Sequence, residues 1–192
     1  MKTYDDFKYD LGSQESSNNY NSDNHLNSTC CWGYWQFSAG RLNDLQNNYN
    51  LTPWISKSNF LGNSDLQNLY FDQHVQDYAG ALTQYLVQAQ SALGSTVTLS
   101  GLIAGAHLGG LNGVLNLITN GIDNADSNGT AISSYVNTYS GYTIPGYDES
   151  GSNSGDGSGD GGSQASASGA GAAGLIIAAI IIGLTYYYTT SK

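Results

Sequence analysis

Cys30-Cys31-Trp32-Gly33-Tyr34-Trp35-Gln36-Phe37 is the stretch on which the fold turns, and it is read together with Glu15 upstream of it. It sets aromatic rings and one amide around a glycine turn. Glu15 is the only glutamate before the C-terminal low-complexity region, whose single glutamate is Glu149. A carboxyl group beside a wall of aromatic rings is desolvated, and desolvation favours its protonated form. General acid chemistry on a glycosidic bond needs such a group.

Two further blocks stand in order around this stretch. Glu15-Ser16 precedes it, with Asn19-Tyr20-Asn21 close behind, and Ser100-Gly101-Leu102-Ile103-Ala104-Gly105-Ala106-His107-Leu108-Gly109-Gly110 follows it. Taken with Gly33-Tyr34-Trp35-Gln36-Phe37, these resemble the three successive motifs of the lytic transglycosylase and goose-type lysozyme superfamily: Glu-Ser, Gly-Leu-Met-Gln-apolar and Ala-Tyr-Asn-Ala-Gly. The wording is nearer to a phage-associated branch. A Ser134-Tyr135-Val136 element comes after them, and the resemblance covers roughly residues 5 to 147.

The resemblance implies an all-α, lysozyme-like helical domain that acts on the glycan strand of bacterial peptidoglycan. It implies Glu15 as the catalytic acid, with Tyr20, Tyr34, Gln36, His107 and Tyr135 at the substrate site. Tyr135 stands where the family has a tyrosine that orients the acid. His107-Leu108 departs from the family, which has tyrosine and then asparagine there. No cofactor is implied, because the one glutamate serves as acid and then as base.

The chain has 192 residues, with fifteen acidic against five basic side chains and a net charge of −10. Lys2, Lys8, Arg41, Lys57 and Lys192 form no basic run, so nucleic acid is not an expected partner. His25, His74 and His107 are scattered, and the adjacent Cys30 and Cys31 form no Cys-x-x-Cys pair, so no metal site is expected. Cα atoms across a trans peptide lie about 3.8 Å apart, short of the usual disulfide span, so two neighbouring buried thiols are expected, with a strained vicinal disulfide as the alternative. The start, Met1-Lys2-Thr3-Tyr4-Asp5-Asp6, has no apolar h-region, so no secretory signal peptide is expected there.

In chain order, Tyr4, Phe7, Lys8 and Leu11 predict a short helix ending near Gly12, with Glu15 at or just past its end. Residues 16–29, rich in Asn and Ser, read as a solvated loop. Leu42, Leu45 and Tyr49 predict a helix closing at Asn47-Asn48, and Thr52-Pro53-Trp54 reads as another helix start. Ser64-Asp65-Leu66-Gln67 has capping-box form and opens a long helix whose apolar positions run from Leu66 to Ala89, before Gly94. Small residues over Ser100–Leu108 predict a helix that admits a close neighbour, broken at Gly109-Gly110, resumed over Leu111–Ile118 and capped by Gly121. Thr130 reads as an N-cap for a last helix over Ala131–Tyr139. Asp23 and Asp72 are the candidates for a second carboxylate.

Composition divides the rest. Residues 1–147 are expected to form the lytic domain, and 148–168, almost all Gly, Ser, Asp, Asn, Gln and Ala, a disordered linker with a root-mean-square span of roughly 25 Å. Residues 169–188 carry no charge and end in Tyr186-Tyr187-Tyr188. At about 1.5 Å per residue they match one hydrocarbon core, which predicts a transmembrane helix followed by a 189–192 tail. The expected partners are therefore the peptidoglycan strand and a lipid membrane. With the phage-like motifs, the expected setting is the internal membrane of a virion, among capsid or membrane proteins. The alternative reading is a catalytically inactive, lysozyme-like structural or glycan-binding virion membrane protein.

Overall fold

The computed structural model describes residues 2–27 and 30–147. The linker expected over 148–168, the transmembrane helix over 169–188 and the tail lie outside the described residues. What is described is mostly helical, as expected, with one small hairpin added. In order come α1 (Tyr4–Ser16), β1 (Asp23–Asn27), β2 (Cys30–Trp32), α2 (Ala39–Tyr49), α3 (Lys57–Phe60) and α4 (Ser64–Leu82). A 3₁₀ turn over Thr83–Tyr85 follows, then α5 (Leu86–Leu93), α6 (Leu99–Asn120) and α7 (Ile132–Thr138).

Thr3 starts α1 through a capping box with Asp6, which satisfies amides that the first turn leaves unpaired. Gly12 does not stop this helix. It is buried inside α1, where a Cβ would stand 1.7 Å from the Tyr34 ring, so its missing side chain is a packing requirement. The helix runs on to Ser16 and places Glu15 in its last turn. Part of the expected 16–29 loop is a strand: β1 pairs antiparallel with β2, Asp23 opposite Trp32 and Asn27 opposite Cys30.

Beyond β2, Trp32 and Phe37 exchange backbone hydrogen bonds of 2.9 and 3.0 Å, closing a tight turn over Gly33–Gln36. Gly33 has φ of 79°, and a Cβ there would meet the Gln67 amide. Cys30 and Cys31 are paired as a disulfide, one of the two states the sequence leaves open. The peptide between them is cis and their Cα atoms are 3.1 Å apart.

Other local expectations are also corrected. The α2 helix extends past Asn47-Asn48 to Tyr49, ended by Asn50 in the left-handed region. Thr52-Pro53-Trp54 does not start a helix. The buried amide of Gln46 holds this segment instead, donating to the Leu51 carbonyl and accepting from the Ile55 amide. Asn63, not Ser64, caps α4, its Oδ1 accepting from the Leu66 amide at 3.1 Å. Gln67 is then free to turn inward. The long helix is interrupted by the 3₁₀ turn, after which Leu86 and Ala89 still enter the core. Thr130 is not an N-cap. Ala131 takes that position, and Asp123 receives the Ser133 amide at 3.0 Å.

The core joins Phe7 and Leu11 of α1, Leu42 and Leu45 of α2, Phe71 and Val75 of α4, and Leu102 and Ile103 of α6. Each fully buried aliphatic or aromatic side chain contributes on the order of 1.5–3 kcal/mol. Gly101 and Gly105 let α7 lie close against α6, since a Cβ on Gly101 would come within 2.3 Å of the Val136 carbonyl oxygen. Gly110, at φ 74° and ψ 165°, breaks α6, and Gly121 at φ 66° caps it, both as expected. Among the described residues α6 is the one helix long and apolar enough to cross a membrane, and here it packs its small and apolar residues into the core.

Candidate functional site

The α1 helix is clamped to the Gly33–Gln36 turn at three points. Ser16 Oγ donates to the Tyr34 carbonyl at 2.8 Å, Trp35 Nε1 donates to the Lys8 carbonyl at 3.1 Å, and the Tyr34 ring covers Gly12. The serine that follows the glutamate thus ties the acid's helical turn to the turn that carries Gln36. From the other side, the Tyr135 hydroxyl on α7 donates to Glu15 Oε1 at 2.8 Å.

Glu15, half-buried, faces a cavity of about 800 Å³, within the size range of small-ligand sites. Its walls come from α1, the hairpin, the Gly33–Gln36 turn, α2, α4, α6 and the loop before α7. Three of the five expected substrate residues reach it: Gln36, His107 and Tyr135. Gln36 sits at φ 50° and anchors its amide on the Gly33 carbonyl at 2.9 Å.

Tyr20 and Tyr34 do not line this cavity, a correction to the sequence reading. Their rings lie 4.4 Å apart, and Tyr34 is spent on Gly12 and Trp35. Tyr34 packs on α1, and Tyr20 packs on Tyr34. His107 reaches the cavity with both ring nitrogens already engaged, Nε2 on the Trp35 carbonyl oxygen at 2.8 Å and Nδ1 with His74 Nε2 at 3.1 Å. It therefore offers a ligand ring carbon, not a hydrogen bond.

The second-carboxylate candidates are also corrected. Asp72 is paired with Lys8 at 2.9 Å and accepts from the Tyr4 hydroxyl, and Asp23 is paired with Lys57 at 2.6 Å; neither lines the cavity. Asp44 and Asp126 do. Backbone hydrogen bonds from Thr130 and Asn128 hold the Asp126 carboxyl below the usual range, against a smaller opposing effect of burial. A carboxylate that accepts backbone N–H groups is stabilised in its charged form.

Three residues that sequence reasoning did not select, Gln67, His74 and Arg41, organise this region. Gln67, fully buried, accepts from the Tyr34 amide at 2.7 Å and donates to the Phe60 and Tyr20 carbonyls at 2.7 and 2.9 Å. His74, also buried, accepts from Arg41 Nε at 2.9 Å. Arg41 donates from Nη2 to Asp77 at 2.6 Å and stacks on the Tyr78 ring at 4.4 Å. The usable signal was periodic: Gln67, Phe71, His74 and Tyr78 follow at four-, three- and four-residue steps on one face of α4. Polar residues on such a stripe are buried with it.

Burial lowers the pKa of both His74 and His107. The charges of His107 and Arg41 add to the effect at His74, while Glu15 and the Trp35 carbonyl oppose it at His107. Burial, then the charge of and hydrogen bond to Glu15, push the Tyr135 phenol well up, so it stays a donor. Among the described residues, no cluster of three His, Cys, Asp or Glu side chains suits a metal ion.

No family model matches the chain, and no curated protein or solved structure matches it.

Proposed function

We propose that this chain is a lysozyme-like peptidoglycan lytic transglycosylase, cleaving the glycan between N-acetylmuramic acid and N-acetylglucosamine. The observation that carries the reading is the Tyr135–Glu15 hydrogen bond at the edge of a ligand-sized cavity. Glu15 and Tyr135 are the acid and the orienting tyrosine implied by motif resemblance, and they are 120 residues apart in the chain.

In this reading Glu15 protonates the leaving glycosidic oxygen as the C1–O bond breaks. Its carboxylate then takes the proton of the sugar's own 6-hydroxyl while O6 bonds to C1. The proton returns to Glu15, no water is consumed, and a 1,6-anhydromuramyl end results. Gln36, whose amide is fixed on Gly33, contributes to the glycan site. A second reading within the same site is hydrolysis, favoured by Asp126: an ionised carboxylate in the cavity can position a water.

The composition of residues 148–192 supports a tethered membrane anchor. Together with the phage-like motifs, it supports a virion membrane protein that opens the host wall during entry. The test is a peptidoglycan zymogram of the full chain beside Glu15→Gln. Clearing by the parent alone, at equal helical circular dichroism, is the expected result. Equal clearing by both moves the acid elsewhere, and clearing by neither favours an inactive glycan-binding or structural protein.

A further inference from the structure

The line of groups Arg41, His74, His107 and the Trp35 carbonyl has a forced direction. Arg41 Nε can only donate, so His74 Nδ1, 2.9 Å away, is an acceptor without a proton. The Trp35 carbonyl can only accept, so His107 Nε2, 2.8 Å away, carries a proton. Between them, His74 Nε2 and His107 Nδ1 are 3.1 Å apart. With each ring neutral, His74 Nε2–H donates to His107 Nδ1, and every nitrogen in the line is satisfied once.

A further proton has no acceptable place. On His74 Nδ1 it would face the Arg41 N–H, and on His107 Nδ1 it would face the N–H of His74. Phe37 and Phe71 pack on both rings and Tyr78 on His74, which leaves no polar alternative on those sides. The charged groups acting on the pair are Arg41 on α2, itself balanced by Asp77 on α4, and Glu15 on α1 toward His107.

The line ends on Trp35, inside the turn whose neighbouring carbonyl, Tyr34, holds Ser16, and whose last residue is Gln36. We infer that Arg41, His74 and His107 form a one-directional hydrogen-bond brace that positions this turn, and through it Gln36 and Glu15, and that the brace holds only while each imidazole carries one proton. His74 and His107 are thus positioning residues, not catalytic ones. The functional half of this inference rests on the reading of Glu15 as the acid; the tautomers do not.

The test uses the full chain labelled with ¹⁵N-histidine. Both rings are expected as the Nε2–H tautomer at neutral pH, and to stay neutral as pH falls through the ordinary histidine midpoint of about 6.5. A proton on Nδ1 of either ring, or a titration near the ordinary midpoint, overturns the brace. In kinetics on soluble peptidoglycan fragments, His107→Leu is expected to lower kcat about tenfold or more, with KM changed little, because the acid is displaced and not removed. His107→Gln, whose amide both accepts and donates, is expected to recover much of that loss, which a purely space-filling role would not predict. Unchanged kcat in a folded His107→Leu overturns the positioning role. If that variant does not fold, the tautomers of the unmodified chain decide. If Glu15→Gln keeps full activity, the acid lies elsewhere and the functional half of the brace fails with it, while the tautomers alone decide the hydrogen-bond half.

Discussion

The Tyr135 hydroxyl donates to Glu15 Oε1 at 2.8 Å, joining α7 to the last turn of α1 across 120 residues of chain. The contact limits the rotamers open to Glu15, and a fixed rotamer is what proton transfer to a bound oxygen requires. Tyr135→Phe deletes this bond while keeping the ring that packs against Tyr139. Lytic activity is expected to fall about tenfold, in line with the loss of one hydrogen bond, with thermal unfolding little changed. Turbidity clearing and a melting curve on the same preparation check both halves.

A second consequence concerns Gly12, which the sequence presents as a helix stop and the fold uses as a socket for Tyr34. Gly12→Ala would put a methyl group 1.7 Å from the nearest ring carbon, so Tyr34 or α1 has to move. Overpacking of this kind costs about 1–3 kcal/mol. Stability measured by denaturant is expected to drop by that order. Lytic activity should fall further than stability alone explains, because the displaced ring belongs to the turn that clamps Ser16. A neutral Gly12→Ala would refute this packing.

How much of this was legible from sequence depends on the kind of feature. The Glu15–Tyr135 pairing was, because motif order carried it. So were the break at Gly110 and the cap at Gly121, where only glycine adopts the required backbone cheaply. Gln67 and His74 were not, since a polar residue on a helix reads as solvent-facing until the rest of its stripe is seen to be buried. Motif resemblance puts Tyr20 and Tyr34 at the substrate. In the fold the Tyr34 ring covers Gly12 of α1 and the Tyr20 ring packs on Tyr34. Asp23 and Asp72 were judged by type alone, and their lysine partners come from distant parts of the chain.

The histidine pair also makes stability depend on pH, with a definite sign. Both pKa values are lowered in the folded state by burial. The unfolded chain therefore takes up protons below about pH 6.5 that the native state resists. The stabilisation is complete above that pH and declines as pH falls toward the folded-state values. The slope is up to about 1.4 kcal/mol per pH unit for each histidine. Carboxylates with lowered pKa, such as Asp6 and Asp126, act only below about pH 4. Urea unfolding at pH 7.5 and 5.0 isolates the histidine window. His107→Gln is expected to make the two curves more alike, and equal stability of the parent at both pH values would contradict the burial of the pair.

The last prediction is the product. Of the acids lining the cavity, Asp126 gives two of its hydrogen-bonding positions to the Asn128 and Thr130 amides at 2.9 and 2.8 Å through the same oxygen, Oδ1. Asp126 is the carboxylate that would activate a water if hydrolysis were the reaction. Transglycosylation needs no such group, because the 6-hydroxyl of the bound sugar is the nucleophile and Glu15 alone handles both proton transfers. Mass spectrometry of digested peptidoglycan separates the two: anhydro ends weigh one water less than reducing ends. Anhydro fragments are expected from the parent, and Asp126→Asn is expected to leave the rate within about threefold, since it perturbs a loop and not the reacting groups. Reducing ends, with Asp126→Asn losing about a hundredfold or more, would assign the reaction to an Asp126-activated water and still keep Glu15 as the acid.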